Sequence, residues 1–340
     1  MAAGAGAAEC QKRSEEGAKM RILVNEELER KEWNEFVFRN PRGNIFQTYE
    51  MYEVYTHTKN FEALIVAAED KGIVGGALVY ISTELPGMLA GFSTRAVLQG
   101  GPLGNYSLVQ EELDKRLRGK ALFLQVRNIC GPLRLNGFHY EPHLNFILDL
   151  RLPEEDLWKR LSKDRRHGIN KSSREGLKIV KINSAKELAT VYRLLESTYS
   201  NANQWLADIS LFHGAYELLG DNAHFYLANV GKEAIGTTVI LTYKKTAYGW
   251  YAGSDRSYRK YYPNDALSWH AILDAKRAGF ERYDFGGAGH PDRPYGVREF
   301  KRQFGGEEVN YCRCEKVYSP SKFLLAKFGY EIVRRIPRLV

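Results

Sequence analysis

A glycine-rich segment near the carboxyl end of the sequence leads into a short basic stretch that contains a candidate catalytic lysine. The segment runs from Tyr283 to Gly306 and reads YDFGGAGHPDRPYGVREFKRQFGG. Glycine has no Cβ, so the Gly286-Gly287 pair lets the backbone approach a ligand or another chain segment closely. The residues from Arg298 to Arg302 predict a short helix, which the glycines at 305 and 306 end.

Lys301 is the residue of this segment that we single out for chemistry. Acyl transfer to an amine passes through an oxyanion, and a fixed ammonium group stabilises that charge without moving during the reaction. Loops that follow strand ends are also where α/β proteins place ligand-binding groups. The alternative is an ordinary surface lysine, which is the commoner role of this residue type.

A second cluster is the most densely charged part of the chain. Residues 159–178 read KRLSKDRRHGINKSSREGLK and carry eight lysines and arginines against two carboxylates. Phosphate is the natural partner of such a segment, and Arg165, Arg166 and Lys171 present guanidinium and ammonium donors to phosphate oxygens. The alternative is the solvated face of a helix whose apolar residues pack beneath it.

The cysteines do not indicate a metal site or a disulfide scaffold. The sequence has Cys10, Cys130, Cys312 and Cys314, which are too few and too scattered to staple 340 residues, so a reducing compartment fits best. Cys312 and Cys314 would lie on one face of a predicted strand, but no second cysteine pair accompanies them. We therefore expect no bound metal.

Helical and strand patterns alternate along the chain and predict the elements that position these residues. Strands are predicted at residues 22–24, 63–69, 73–82, 144–150, 224–229, 234–243, 247–253 and 309–317, and helices at 27–39, 48–56, 185–200, 208–219 and 266–278. The fold class is therefore α/β, in the mixed α+β sense, with largely antiparallel sheets.

The two halves of the sequence resemble each other. A shift of 161 positions places residues 64–67 on 225–228 and residues 74–75 on 235–236 without a gap. We therefore expect a duplication in which each half has a helix pair, an antiparallel meander, a crossover helix, a fifth strand and a final strand. The predicted final strands are 144–150 and 309–317. Chance similarity between two α/β domains is the alternative.

These patterns divide the chain into four predicted regions. Residues 1–20 are expected to form a disordered tail, residues 21–152 a first domain, residues 153–319 a second domain, and residues 320–340 a basic amphipathic helix. Pro153 and the three carboxylates that follow it are typical of a helix start, which places the boundary there.

Composition excludes several classes of protein and favours an anionic partner. Hydrophobic residues make up 44% and charged residues 26% of the 340, as expected for a globular protein. No window reaches the roughly 20 apolar residues that span a bilayer, and the amino terminus lacks a secretory signal pattern, so we expect a cytoplasmic protein. The net charge of +8 favours RNA, a phosphorylated substrate or an acidic membrane surface.

Several motifs taken in order resemble one known family. They are a basic helix with the pattern Arg-x-x-Ile-x-Lys, the strand Tyr251-Ala-Gly-Ser254, the sequence Tyr-Asp-Phe-Gly-Gly and the sequence Phe-Lys-x-x-Phe-Gly-Gly. Together they resemble the FemAB family of aminoacyl-tRNA-dependent peptidyltransferases, which is built from two acetyltransferase-like (GNAT) domains. The likeness covers about residues 21–318 in architecture, and its specific motifs lie between Arg165 and Gly306.

The resemblance implies an activity and a set of site residues. The activity is transfer of an amino acid from a charged tRNA to an amino group on the peptide of a cell-wall (peptidoglycan-type) precursor, with no cofactor. Phe300 and Lys301 match the family's catalytic channel, where the lysine stabilises developing charge. The implied substrate contacts are Arg165, Arg166, Lys171, Tyr251, Asp284 and Arg298. We expect a monomer that meets a lipid-linked precursor at the inner face of the membrane.

Two departures from the family pattern leave the acceptor open. The long helical arm of larger members is missing, because only two ordinary helices fit between Gly176 and Gly220, so the chain resembles the compact type. No position matches a general base or the residues of the first domain that grip the precursor. The glycine-rich loop at residues 100–105 is the candidate lining there.

Two other functions stay open on the sequence. The first is an acyl-CoA-dependent N-acyltransferase, although bulky residues fill positions 256–265, where such enzymes hold pyrophosphate on a glycine-rich turn. The second is a non-catalytic RNA-binding or scaffold protein that keeps the charge and the fold. The basic amphipathic helix at residues 320–340 either rests on an anionic membrane or packs onto the second domain.

Overall fold

The structure, a computed structural model, describes residues 20–85 and 87–335, and all of their side chains except those of Met88 and residues 330–335. The tail predicted at residues 1–20 lies outside the described residues apart from Met20. The last five residues of the predicted carboxyl-terminal helix also lie outside them.

The strands of the described chain form two sheets. The strands of the first sheet are β1 (Arg21–Val24), β2 (Phe61–Glu69), β3 (Ile73–Thr83), β4 (Thr94–Gly100), β5 (Leu103–Gly104), β6 (Phe123–Asn128), β7 (His139–Glu141) and β15 (Arg313–Val317). The strands of the second sheet are β8 (Leu144–Asp149), β9 (Lys178–Lys181), β10 (Ala223–Val230), β11 (Glu233–Tyr243), β12 (Thr246–Ser254), β13 (Arg282–Gly287) and β14 (Glu307–Asn310). The first sheet has the order β1-β2-β3-β4-β6-β15-β7, with β5 paired to β3, and the second has the order β14-β8-β13-β12-β11-β10-β9.

Three of the helices in the described chain begin at a short polar side chain that caps them. The helices are α1 (Arg30–Arg39), α2 (Tyr49–Thr56), α3 (Ser107–Leu117), α4 (Glu154–Arg160), α5 (Lys163–Arg174), α6 (Leu188–Asn201), α7 (Ile209–Leu218), α8 (Pro263–Arg277), α9 (Gly296–Arg302) and α10 (Pro320–Arg335). The side chains of Thr48, Ser162 and Asp208 each accept a hydrogen bond from a backbone amide in the first turn of α2, α5 and α7. The described residues contain no helix that is both long and apolar enough to cross a bilayer.

The two sheets repeat one arrangement, which confirms the predicted fold class. In the first sheet β1 to β4 are antiparallel neighbours, and β4 then pairs with β6 in parallel. In the second sheet β9 to β12 are antiparallel neighbours, and β12 pairs with β13 in parallel. The crossovers contain α3 and α8, as a parallel connection requires.

The final strands of the two halves are exchanged, which corrects one expectation from the sequence. The predicted strand at residues 144–150 forms β8 and pairs with β13 and β14 of the second sheet. The single strand predicted at residues 309–317 is broken at Cys312, whose φ of 55° lies in the left-handed region. Its first part is β14, but its second part is β15, which pairs with β6 of the first sheet. The boundary at Pro153 stays a prediction, because the chain crosses between the sheets on both sides of it.

The described residues form three apolar cores, of which one joins the two halves. One core lies between the first sheet and α3 and includes Leu98, Leu113, Val126 and Cys314. A second lies between the other sheet and α8, α4 and α9 and includes Phe146, Ile272 and Phe304. The third joins the halves, because it contains Trp33, Ile65 and Val54 from one and Leu195, Phe212 and Phe225 from the other. The two sheets are therefore packed as one unit.

Because β15 belongs to the first sheet, a buried charge in β15 should destabilise that sheet. Cys314→Asp should lower the free energy of unfolding by about 3 kcal/mol or more, because the carboxylate would replace a fully buried thiol. Urea unfolding measures the loss. Val317→Asp, on the same strand at a more exposed position, is the matched control and should cost much less.

Hydrogen exchange locates the effect of the same substitution. Amides of β6 should exchange faster in the Cys314→Asp protein, while those of β13 keep their protection, because β15 pairs with β6. Faster exchange confined to β13 would contradict the exchanged arrangement.

Candidate active site

Lys301 lies on α9 and reaches the end of strand β13. Its Nζ donates a 2.9 Å hydrogen bond to the carbonyl oxygen of Gly287. The loop between β13 and α9 is held by Arg298, whose buried guanidinium donates to the carbonyl oxygens of His290 and Arg293. The loop therefore fixes α9, and α9 fixes the ammonium group of Lys301 above the strand end.

Burial changes the titration of Lys301 and of the neighbouring Asp284. Desolvation lowers the pKa of Lys301 to about 8, and the nearby Asp284 carboxylate partly opposes that change. Burial raises the pKa of Asp284 to about 6, although its Oδ1 accepts hydrogen bonds from Asn145 Nδ2 at 3.1 Å and from the Gly286 amide at 2.7 Å. At neutral pH both groups are charged, and the ammonium is poorly hydrated. Such an ammonium interacts strongly with a developing negative charge.

The two glycines at the end of β13 let neighbouring groups approach the backbone closely beside Lys301. The regular pairing of β12 with β13 ends at Tyr248 and Asp284, and the pairing of β13 with β8 is irregular between Asp284 and Gly287. Gly286 has a φ of 71°, and a Cβ there would lie 2.9 Å from the carbonyl oxygen of Gly249. A side chain at position 286 would therefore be strained and would crowd this strand end.

A pocket of about 360 Å³ lies at the start of α8, next to the catalytic segment. Arg165 connects the two, because its Nη1 forms a 2.9 Å ion pair with Asp265 Oδ1 and its guanidinium lies over the Phe300 ring at 4.8 Å. Arginine side chains and the first turn of α8 supply most of the polar lining. The lining includes Arg165, Ser254, Arg256, Arg259, Tyr262, Asp265 and Phe300.

The start of α8 is poorly suited to bind an anion through its backbone. Tyr262 adopts a left-handed conformation without being glycine, and Pro263, the first helical residue, has no amide hydrogen. The buried carboxyl of Asp265 lies in the first turn, and burial raises its pKa to about 6. Gly168 lets α5 pack against this turn, because a Cβ there would lie 2.6 Å from Asp265 Oδ1. An internal carboxylate thus lies where a helix start would otherwise attract a phosphate.

The structure brings several predicted site residues together and gives others internal partners. Lys301, Asp284, Phe300 and Arg165 lie around one strand end and its adjoining pocket. Arg166 instead donates to the carbonyl oxygens of Lys159 at 3.0 Å and Leu161 at 2.7 Å. Backbone carbonyl oxygens accept hydrogen bonds from both the Arg166 and the Arg298 guanidinium, so each already has internal partners. A substrate-contact role for these two arginines stays a prediction.

Two other predicted substrate contacts lie among aromatic rings. Lys171 Nζ is 5.4 Å from the centroid of the Tyr262 ring. Tyr251 packs against Tyr199 and Phe212, and its pKa is raised well above the ordinary value by burial. The hydroxyl group of Tyr251 therefore stays protonated. The role of both residues as substrate contacts stays a prediction.

Sequence reasoning missed a basic cluster on the first sheet that faces the same strand end. Arg95, Arg127 and Arg313 lie on β4, β6 and β15, and Arg313 is directly opposite Arg127 in the register. A Cβ added to Gly287 would lie 2.7 Å from His143 Nε2 and 3.6 Å from Arg313 Nη2. The three charged residues of β15, at positions 313, 315 and 316, were a signal for a partly exposed strand. Its neighbour β6 could not be identified from that signal.

The comparisons with known proteins support the fold and the general class of activity. Residues 159–302 match the family model described as an acetyltransferase (GNAT) domain, a range that extends from α4 to α9 and includes Lys301. No curated protein sequence matches the chain. The family model supports an acyltransferase.

Solved structures share the architecture at low sequence identity. FemX is 14% identical with a TM-score of 0.64, and the match covers 88% of this chain and 98% of FemX. A tandem GNAT protein from the clavulanic acid biosynthesis pathway is 12% identical with a TM-score of 0.55, over 88% of this chain and 99% of that one. The C-terminal domain of a putative lysylphosphatidylglycerol synthetase from Agrobacterium fabrum is 16% identical with a TM-score of 0.51, over 75% and 85% of the two chains.

Fold and site together define the class of protein. The chain has a Fem-like fold of two GNAT-like domains in tandem, each with a parallel strand pair after its antiparallel meander. The candidate site lies at the open end of the parallel pair in the second sheet, within the acetyltransferase-domain match.

The ion pair between Arg165 and Asp265 supplies a test of the pocket. Arg165→Met should lower the free energy of unfolding by about 3–5 kcal/mol, because Asp265 would keep a buried charge without its partner. Adding Asp265→Asn should recover most of this loss. Urea unfolding of the single and double variants measures both effects.

A matched control lies on the same helix. Lys163→Met removes one exposed charge from α5 and should change the free energy of unfolding by less than about 0.5 kcal/mol. Equal losses in the Arg165→Met single variant and in the double variant would show that the pair is not coupled as the geometry indicates.

Proposed function

We propose that this protein is an aminoacyltransferase that moves an amino acid from aminoacyl-tRNA to an amino group on the peptide of a cell-wall precursor. One observation carries the proposal. The desolvated ammonium of Lys301 is fixed above the Gly286-Gly287 strand end, beside an arginine-lined pocket whose helix start carries an internal carboxylate. The resemblance to FemX in fold supports the same class of reaction.

Lys301 would act electrostatically during transfer. The acceptor amine attacks the ester carbonyl, a carbon–nitrogen bond forms, and the carbonyl oxygen becomes negatively charged. The ester carbon–oxygen bond then breaks, and the proton lost by the amine ends on the leaving ribose hydroxyl. The Lys301 ammonium stabilises the oxyanion and need not transfer a proton. Phe300 and the Arg165 guanidinium stacked on it would form one wall of this site.

The pocket at the start of α8 favours the acceptor end of a tRNA over coenzyme A. Arg165, Arg256 and Arg259 supply side-chain donors for ribose and phosphate oxygens. A pyrophosphate at the helix start would meet the Asp265 carboxylate and would find no amide hydrogen on Pro263. The net charge of +8 is suited to nucleic acid as well.

An acyl-CoA-dependent N-acyltransferase is the second candidate. The acetyltransferase (GNAT) family model favours it, and so does the similarity in fold to the tandem GNAT protein, whose structure is without AcCoA. A donor experiment separates the two: the purified protein is offered a pool of labelled aminoacyl-tRNAs and, separately, labelled acyl-CoAs. Loss of label from tRNA supports our proposal, and loss from CoA contradicts it. tRNA binding without turnover of either donor would indicate a non-catalytic RNA-binding protein.

Replacing Lys301 tests its role within that assay. Lys301→Met should lower the transfer rate about 10²-fold or more, which is typical for loss of one oxyanion-stabilising group. Lys232→Met, which removes an exposed charge from a turn, is the matched control and should leave the rate unchanged. Equal rates for the Lys301→Met and wild-type proteins would remove Lys301 from the mechanism.

The pH dependence follows from the same lysine. Its pKa of about 8 means that the ammonium loses its proton as the pH rises through 8, well below the ordinary range for lysine. The rate of the wild-type protein should therefore fall above pH 8, while the residual rate of Lys301→Met should not show that fall. The rates are compared between pH 7 and pH 9 with one donor.

We also propose that α10 contacts an anionic membrane, where a lipid-linked acceptor would be found. The helix packs on the first half of the chain, because the Phe323 and Phe123 rings lie 5.1 Å apart; packing onto the second domain was the alternative from the sequence. Leu324, Leu325 and Phe328 are 69%, 62% and 68% exposed. Exposed Lys322 and Lys327 adjoin them, so apolar and positive groups share one surface.

Vesicle binding tests this surface. Leu324→Ser with Phe328→Ser should weaken binding to vesicles containing phosphatidylglycerol about tenfold, because two exposed apolar side chains lose their burial. Phe38→Ser, at a site on α1 that is 64% exposed, is the matched control and should leave binding unchanged. Unchanged binding of the double variant would contradict the membrane proposal.

A further inference from the structure

We propose that Arg95, Arg127 and Arg313, which we term the arginine triad, bind a carboxylate of the acceptor close to the amine that reacts beside Lys301. The inference deepens the proposed function. It rests on transfer to an amine but not on the identity of the donor. It assigns an acidic acceptor, in which a carboxylate and the reacting amine are near neighbours.

The strand register places the triad on one face of the first sheet, with Arg127 and Arg313 directly opposite each other and Arg95 four residues further along that face. Arg313 is paired with Arg127 across β15 and β6, and β6 pairs in parallel with β4, where Gln99 lies opposite Arg127. Arg95 is four residues before Gln99, so its side chain leaves β4 on the same face. The opposite face carries Leu98, Leu124, Val126 and Cys314, which are buried in the apolar core. The triad therefore lies on the polar face, and its Arg313 lies next to Gly287 at the end of β13. We call this junction of the two sheets the cleft.

The triad has fewer internal partners than its charge requires. Buried Nε atoms of Arg95 and Arg313 have no hydrogen-bond acceptor among the described residues, and neither does His143 Nε2. Arg95 pairs with Glu84 at 2.6 Å, while Glu315 accepts from Gln125 at 2.7 Å. The cleft thus holds three guanidiniums and Lys301 against few carboxylates. Buried donors of this kind are normally satisfied by a bound acceptor group.

Mutual repulsion between the positive groups of the cluster lowers their pKa values. Burial and the neighbouring Arg127 lower the pKa of Arg313 to about 9. Burial, Arg313, Arg127 and Lys301 together lower the pKa of His143 to about 3. Packing these positive groups into one cleft raises the free energy of the ligand-free protein. An anion bound among them would remove the repulsion.

The position of the triad decides which anion fits. Arg313 and His143 approach the α-carbon of Gly287, and Lys301 binds the carbonyl oxygen of the same residue. An anion held by Arg313 would therefore lie within one amino-acid residue of the reacting amine. A carboxylate in a peptide can be that close to an amine, whereas the phosphates of a nucleotide or lipid carrier lie much further along a precursor. Forked guanidiniums suit a planar carboxylate.

Equilibrium binding without any donor tests the inference. The probe is the synthetic peptide N-acetyl-Ala-Glu-Lys, which has one amine and two carboxylates, compared with the same peptide carrying both carboxylates as amides. The wild-type protein should bind the acid at least tenfold more tightly than the amide, because charge-assisted hydrogen bonds would be lost with the amide. Arg127→Gln with Arg313→Gln should abolish that preference.

Two controls keep the result interpretable. Arg134→Gln removes an exposed arginine of the first half and should retain the preference for the acid. Thermal unfolding without peptide should show that the double variant, Arg127→Gln with Arg313→Gln, is folded and at least as stable as the wild type, because like charges have been removed from the cleft. A folded variant that still prefers the acid would overturn the inference.

The remaining outcomes of the experiment also support or overturn the inference. Equal binding of acid and amide by the wild-type protein would overturn the inference even if aminoacyl transfer is observed, so the two proposals fail separately. Weaker tRNA binding by the Arg127→Gln and Arg313→Gln variants, with the peptide preference unchanged, would assign the triad to nucleic acid and overturn it as well. Acid preference with acyl-CoA as the active donor would leave the triad supported and the proposed donor wrong.

Discussion

The exchange of final strands between the two sheets is the constraint on which the rest of the structure depends. Strand β8 enters the second sheet from the first half of the chain, and β15 enters the first sheet from the second half. The residues beside Gly287 therefore come from both halves: His143 and Asn145 lie at β8, Arg313 lies on β15, and Lys301 lies on α9. Neither half could assemble this site by itself. The shared core around Trp33 and Phe212 also ties the two halves together.

Local features of the site could be predicted from the sequence because they depend on neighbouring residues. Periodicity identified most strands and helices, and the glycine-rich segment placed Lys301 on a short helix after a strand end. Partners distant in sequence could not be predicted. Arg127 and Arg313 are 186 positions apart and meet only because β15 leaves its own half. The internal contacts of the most basic segment could not be predicted for the same reason, since composition does not reveal that Arg166 binds carbonyl oxygens at the end of α4 or that Arg165 pairs with Asp265.

The charges in the cleft divide into those that the fold satisfies and those that it does not. Asp284 is held by Asn145 and a backbone amide, and Arg298 is held by two carbonyl oxygens, so both have partners that shape the loop around Lys301. Lys301, Arg313 and His143 have pKa values lowered by burial or by neighbouring positive charge. Natural proteins accept such costs mainly where a ligand compensates for them. Asp284 and Arg298 thus hold the site in shape, whereas Lys301, Arg313 and His143 are the groups available to a ligand.

Similarity of fold does not settle the donor, because one fold hosts several chemistries. The second sheet has the parallel pair of β12 and β13 with the crossover helix α8, and the chain as a whole is similar in fold to FemX and to the tandem GNAT protein. Yet the first turn of α8 has Tyr262 in a left-handed conformation, a proline without an amide hydrogen, and a carboxylate paired with Arg165. Each feature weakens anion binding by the helix backbone. The positive charge at this pocket comes instead from the side chains of the neighbouring arginines. Side chains can follow the irregular outline of a folded RNA end, whereas a backbone cradle selects one compact pyrophosphate. In the function that we propose, the first turn of α8 selects the donor, and the sheet only positions that turn.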